Sequence, residues 1–159
     1  MKTVKQASKL DASGIERAIT QLNEVMKARG LRASTVRDSV ARAALNLEGH
    51  FAADDLVRRV PHVGAATVYR VLPLLVEAGL LQTAPSRTAD GTHYERAFQR
   101  EHHDHLLCLE CQAVVEFQFE AFEVLQRDVA ARFGFSLTGH VHELHGLCEK
   151  CGRKKSKRR

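Results

Sequence analysis

The chain has 159 residues, 44% of them apolar, with 24 Lys and Arg against 19 Asp and Glu and a formal net charge of +5 at pH 7. That is one large domain or two small ones with enough apolar sequence to bury a real core, and it marks a globular, soluble protein. No apolar run approaches the ~18 residues of a membrane span, and Lys2, Lys5 and Lys9 precede no hydrophobic stretch, so neither a span nor a signal peptide is indicated and a cytoplasmic location is expected.

The charge is unevenly spread: residues 1–85 carry 12 Lys and Arg against 8 Asp and Glu, residues 86–152 carry 6 against 11, and residues 153–159 add 6 more cations. A basic front half suits contact with a polyanion, and an acidic back half suits the gathering of cations. The run Arg153-Lys154-Lys155-Ser156-Lys157-Arg158-Arg159 is expected to be a disordered basic tail.

In chain order, Ile15, Ala18, Ile19, Leu22, Val25 and Met26 recur at helical spacing, with Asp11 or Ser13 as the cap and Gly30 as the stop. Three shorter helices are predicted over 34–47, 53–59 and 64–78, the last ended by Gly79. Closely joined helices of this kind resemble a helix-turn-helix. Strands over 80–83 and 92–95, separated by a turn-rich stretch from Pro85 to Gly91, complete a two-stranded wing. On the fourth helix a 100° wheel turns Val68, Val71, Leu72 and Leu75 inward. It leaves Ala66, Arg70 and Pro73 outward and Thr67 and Tyr69 on the flanks. A small residue, a guanidinium and an aromatic ring are what a major-groove helix presents to bases and phosphates. Arg32, Arg37 and Arg42 add the cations that backbone contacts need. Pro73 removes the hydrogen bond to the carbonyl of Tyr69, so the helix is expected to bend or stop there.

The second half reads as a small α+β domain: strands over 105–109 and 114–119, a helix over 121–133, and a last strand near 136–144. All four cysteines fall in two C-x-x-C pairs, Cys108 with Cys111 and Cys148 with Cys151. Outside a βαβ redox setting, this spacing is that of one closed tetrahedral zinc site. The neighbouring His102-His103-Asp104-His105 cannot join a site the thiolates already saturate, which points to further sites of imidazole and carboxylate. On extended chain, alternation puts His103 and His105 on one side and His102 and Asp104 on the other. His50, Glu95, Glu116, Glu123 and His140 are the candidate outside ligands, and spacing alone does not choose among them. Enzyme motifs fail. His142-Glu143-Leu144-His145 has one residue too few for a zincin helix, and no C-x-x-C follows a proline as a zinc deaminase requires.

Taken together, Gly30-Leu31-Arg32, Ala66-Thr67-Val68-Tyr69-Arg70-Val71-Leu72, His102-His103-Asp104-His105-Leu106 running into Cys108 and Cys111, and Val115-Glu116-Phe117 resemble the ferric uptake regulator family of bacterial metal-dependent transcription factors. The resemblance implies an α+β protein. An N-terminal winged helix-turn-helix DNA-binding domain (1–84) and a hinge or wing connection (85–93) would precede a small α/β dimerisation and metal-binding domain (94–152) with a four-cysteine zinc site, then the basic tail (153–159). It implies structural zinc on Cys108, Cys111, Cys148 and Cys151. A regulatory site would comprise His50, Glu95, His103, His105 and Glu116, with Glu101 as the substitute for Glu95, and an additional site His102, Asp104, Glu123 and His140. Tyr69 and Arg70 would face the major groove with Thr67 beside them, Arg32 the minor groove, and Arg37 a phosphate. The function implied is a non-enzymatic, homodimeric repressor that binds a double-stranded DNA operator in response to Fe(2+), with Mn(2+) or Zn(2+) as the other candidate cations. No membrane or small organic substrate is implied. Related readings are a zinc-, manganese- or peroxide-sensing member; a metal storage or delivery protein is the alternative of a different class.

Overall fold

The computed structural model describes residues 2–3, 9–84 and 91–156. Residues 85–90 of the expected hinge and 157–159 of the basic tail lie outside the described residues. The elements run β1 (Lys2–Thr3), α1 (Ala12–Ala28), α2 (Thr35–Leu45), β2 (Phe51–Ala52), α3 (Ala53–Arg59), α4 (Ala65–Glu77), β3 (Leu81–Ala84), β4 (His93–Arg96), β5 (Asp104–Cys108), β6 (Val114–Gln118), α5 (Glu120–Arg132), β7 (Glu143–Gly146) and α6 (Glu149–Ser156). They form two compact units, Gln6–Glu101 and Met1–Lys5 with His102–Arg159.

In the first unit, α1 opens where the Asp11 carboxylate accepts the Gly14 N–H at 2.7 Å, satisfying a donor that the helix start leaves open. It closes at Gly30, whose φ of +75° lets the Leu31 N–H reach the Met26 carbonyl at 2.9 Å, a geometry that favours glycine. α2 is capped the same way by Ser34, which accepts from the Arg37 N–H at 3.2 Å. Leu22, Met26, Val40, Leu56, Val68, Leu72, Leu75 and Leu80 are all fully buried, each contributing about 1.5–3 kcal/mol on leaving water. α4 continues through Pro73 rather than ending there. The ring sits on the exposed face, so the Tyr69 carbonyl it cannot bond is not buried, and the inward Val68, Val71, Leu72 and Leu75 hold both halves in register.

The wing has three strands, order β2-β4-β3. The two-residue β2, absent from the sequence expectation, pairs Phe51 with Tyr94. Because β4 pairs on both sides within this sheet, the first unit extends to Glu101, past the boundary expected at 84, and the second begins at His102 instead of 94.

The second unit is a four-stranded sheet of order β1-β6-β5-β7 with α5 and α6. β5 pairs antiparallel with β6 and parallel with β7. The strand expected near 136–144 begins only at Glu143. Residues 153–156 belong to α6 and are not a disordered tail, for the chain around Cys148 and Cys151 is already wound into that helix, with the Gly152 N–H on the Cys148 carbonyl at 2.9 Å.

Candidate metal centres and nucleic-acid face

The four cysteines converge within the second unit. Cys108 ends β5, Cys111 sits in the turn that follows, Cys148 immediately precedes α6 and Cys151 lies in its first turn. One sulfur from each lies within 4.8 Å of the others, and none is in a disulfide. The turn is tight: the Gln112 N–H reaches the Cys108 carbonyl at 2.9 Å. Backbone N–H donors, first that of Cys148 at 3.2 Å from the Cys108 sulfur, lower the Cys108 thiol to about 6. Hydrogen bonding to Cys148 and the neighbouring sulfurs pushes Cys151 up to about 12. Four thiols this close cannot all ionise without a cation among them. Sulfur donors in this number and spacing fit tetrahedral zinc.

A second cluster in the same unit is formed by His102, Asp104, Glu123 and His140, whose ligand atoms also lie within 4.8 Å of one another. His102 Nε2 is 3.3 Å from Asp104 Oδ1 and 3.1 Å from Glu123 Oε1. His140 Nε2 is 3.4 Å from Glu123 Oε1 and 2.8 Å from His102 Nε2. Asp104 is 1% exposed, yet among the described residues neither of its oxygens has a hydrogen-bond partner. Buried carboxylates are normally fully hydrogen-bonded, and with its three neighbours this one could hold a cation. A cavity of about 360 Å³, lined by His102, Asp104, Gln118, Phe119, Glu120 and Glu123, opens beside it.

The remaining candidate ligands divide between the units. In the first, His50 Nε2 lies 3.4 Å from Glu95 Oε2. Glu95 is fully buried, accepts from Gln82 Nε2 at 2.9 Å and is ion-paired with Arg100. Glu101 is exposed. In the second unit the rings of His103 and His105 stand 4.9 Å apart, and His105 faces Glu116 across the β5–β6 ladder. Side-chain parity along β5 thus separates His103 and His105 from His102 and Asp104.

On α4, Tyr69 is 51% exposed and its hydroxyl donates to Asp54 at 2.8 Å, which raises the Tyr69 pKa. Arg70 is exposed and donates to the Thr67 hydroxyl at 3.2 Å. Arg32 is exposed as well. Arg37 is placed differently from a free phosphate ligand: it is 6% exposed and donates to Asn23 Oδ1 at 3.0 Å and to the Arg32 carbonyl at 3.2 Å. Its position in the first turn of α2 turns the guanidinium toward Asn23 of α1 and the Arg32 carbonyl, pinning the loop that presents Arg32. Arg42 is likewise engaged, in a two-pronged pair with Glu16 at 2.6 and 2.9 Å.

Two participants were not legible as such. Arg100 looks like any surface cation in sequence, and only the fold shows it against Glu95. His142 stands in a motif that fails as a zincin, and its i, i+2 spacing from His140 is the sequence sign that both share a face.

The sequence model of the ferric uptake regulator family matches residues 28–145. The ferric uptake regulation protein of Campylobacter jejuni subsp. jejuni is 32% identical over 145 residues, covering 87% of this chain and 91% of the relative. The fold is similar to that of the Helicobacter pylori ferric uptake regulator, reported with three functional metal binding sites, at a TM-score of 0.72 and 24% identity, covering 92% of this chain and 97% of that one. It is also similar to a zinc uptake regulator in complex with zinc and DNA, at a TM-score of 0.53 and 27% identity over 89% of this chain and 97% of that one. With its winged-helix unit, its four-sulfur cluster and a family match over most of its length, the chain belongs to the ferric uptake regulator family, the metal-responsive transcription regulators.

Proposed function

We propose that this chain is an iron(II)-responsive DNA-binding repressor of metal-uptake genes that works as a cytoplasmic homodimer and has no catalytic activity. The observation that carries the reading is the division of donors: the four sulfurs form one cluster, so every other candidate ligand is an imidazole or a carboxylate. Nitrogen and oxygen donors without thiolate suit iron(II) or manganese(II). That relatives are named for ferric uptake supports the same reading. No helix among the described residues is long and apolar enough to cross a membrane.

In this reading Cys108, Cys111, Cys148 and Cys151 keep a structural zinc. His50 and Glu95 from the first unit act with His103, His105 and Glu116 from the second on one exchangeable cation, while His102, Asp104, Glu123 and His140 hold another. A divalent ion bound by ligands from both units supplies the charge that lets them share one arrangement. Glu95 must then exchange Arg100 for the ion. Shifting a two-state protein from 1:99 to 99:1 takes a differential affinity of about 5.5 kcal/mol, within reach of a five-ligand site. Thr67, Tyr69 and Arg70 on α4 meet the major groove, with Arg32 at the minor groove and Arg37 as its brace; the solved zinc uptake regulator complex with DNA supports this use of the fold.

Homodimerisation is supported by the second unit's surface. Val124, Leu125, Val129, Phe133, Phe135 and Val141 are 46–86% exposed, and a cleft of about 790 Å³ runs among α5, Phe135, Leu137 and Leu144. An apolar face of this extent needs a partner, and a second copy offers its match by two-fold symmetry.

The test is an anaerobic gel shift with DNA from upstream of metal-uptake genes, using zinc-clamped protein with iron(II) or with chelator. Retarded DNA only with iron(II) is expected. Equal retardation in both lanes, or none in either, would remove the proposal; the latter, with several ions bound per chain, would favour storage or delivery.

A further inference from the structure

His142 is the one imidazole near the His102, Asp104, Glu123 and His140 cluster that the proposed ligand set leaves out. It directly precedes β7, and the parallel register that pairs His105 with Glu143 brings it alongside Asp104, anchored by the His105 N–H on the His142 carbonyl at 3.2 Å. Its Nδ1 lies 3.7 Å from Asp104 Oδ1, beyond hydrogen-bond length. That nitrogen is buried and has no hydrogen-bond partner among the described residues, as is true of both Asp104 oxygens. The ring is held in place, edge-on to Phe122 at 5.4 Å and tilted on His140 at 4.9 Å. His142 is outside the group whose ligand atoms all lie within 4.8 Å, so it is badly placed to bind the ion itself.

We propose that His142 is a positioning residue of this second metal site: its Nδ1–H donates to the Asp104 carboxylate and aims it at the cation. The inference rests on the reading of that cluster as a metal site. A ligating carboxylate that is 1% exposed uses one lone pair on the metal and has others to satisfy, and metal-binding carboxylates are held by such outer hydrogen bonds. His142 Nδ1 is the adjacent buried group with a donor to spare. Glu123 is held instead by Gln126, which donates to it, and the same amide lies 2.9 Å from His140 Nδ1, so Asp104 is the ligand for which a holder was missing.

The test uses the full chain with zinc in the four-cysteine cluster and a His50→Ala background, which weakens the other exchangeable site without altering the second unit. Cobalt(II) is titrated against a chromophoric chelator, with its visible absorption as the readout. His142→Leu is expected to weaken cobalt binding by about 10–100-fold, and His142→Asn, whose amide N–H can stand where Nδ1–H stood, to restore most of it. In an Asp104→Ala background His142→Leu should add no further loss. Wild-type affinity in His142→Leu, an equal loss with and without Asp104, or no recovery in His142→Asn would each overturn the proposal. Unchanged cobalt binding in both Asp104→Ala and His140→Ala would instead show that the cluster is not a metal site, and the inference would fall with it.

Discussion

Removal of the structural zinc should separate the two units in stability. In the first unit an extensive cluster is buried, from Ala18 through Leu81, and supports folding by itself. Among the described residues of the second unit, the buried apolar set is Leu107, Cys108, Phe117, Ala130 and Cys151. Only Leu107 and Phe117 are large side chains without a metal role. At about 1.5–3 kcal/mol each, they supply about 3–6 kcal/mol within a single chain, before any dimer contact, whereas structural zinc in small domains contributes about 10–16 kcal/mol of folding free energy at neutral pH. The metal term is the larger, so the second unit should depend on it. Cys151→Ser, or stripping with a strong chelator, is therefore expected to abolish hydrogen-exchange protection across β5, β6 and β7 while α1, α2 and α4 keep theirs. Unchanged protection in zinc-free protein would refute the reasoning, because the sheet would then stand on side-chain packing, within the chain and across the proposed dimer face, without the metal.

Zinc affinity should also fall as pH falls. Metal binding needs four thiolates, Cys151 is pushed up to about 12 and even Cys108 regains its proton below about 6, so loading releases protons and acid reverses it; chelator competition across that range checks the sign. Leu72→Ala, at a fully buried position of α4, should cost about 2–5 kcal/mol in urea denaturation. Arg70→Ala should weaken operator binding and lower its salt dependence with little loss of stability, whereas Arg37→Ala should lower the melting temperature, because Arg37 is buried against Asn23 and Arg32. Phe133→Glu, at a position 75% exposed in the single chain, should shift sedimentation from dimer to monomer.

Periodicity made α1 and α4 legible, since Ala18, Ile19, Leu22 and Met26, and Val68, Val71, Leu72 and Leu75, form the buried stripes expected of them. Strand parity likewise anticipated which of the four residues at 102–105 lie together, because side chains of an extended chain alternate whatever they pack on. What escaped depended on tertiary setting. β2 has two residues, too few for any period, and exists because β4 offers it a partner. The halt expected at Pro73 did not occur, since the lost hydrogen bond lies on the solvent side. Arg37 and Arg100 carry the same charge as free surface arginines, and only the packing shows that one braces a loop and the other covers Glu95. The helix over 149–156 was hidden by its composition, a glycine within a run of cations.

The most direct measurement is operator affinity by fluorescence anisotropy, with and without iron(II), for the wild-type chain and His105→Ala, both carrying zinc in the four-cysteine cluster. The wild type should gain about 5–150-fold in affinity on adding the metal, and His105→Ala should bind at the metal-free level under both conditions while keeping its melting profile. A full iron(II) response in His105→Ala would contradict the assignment of sensing to the imidazole and carboxylate ligands.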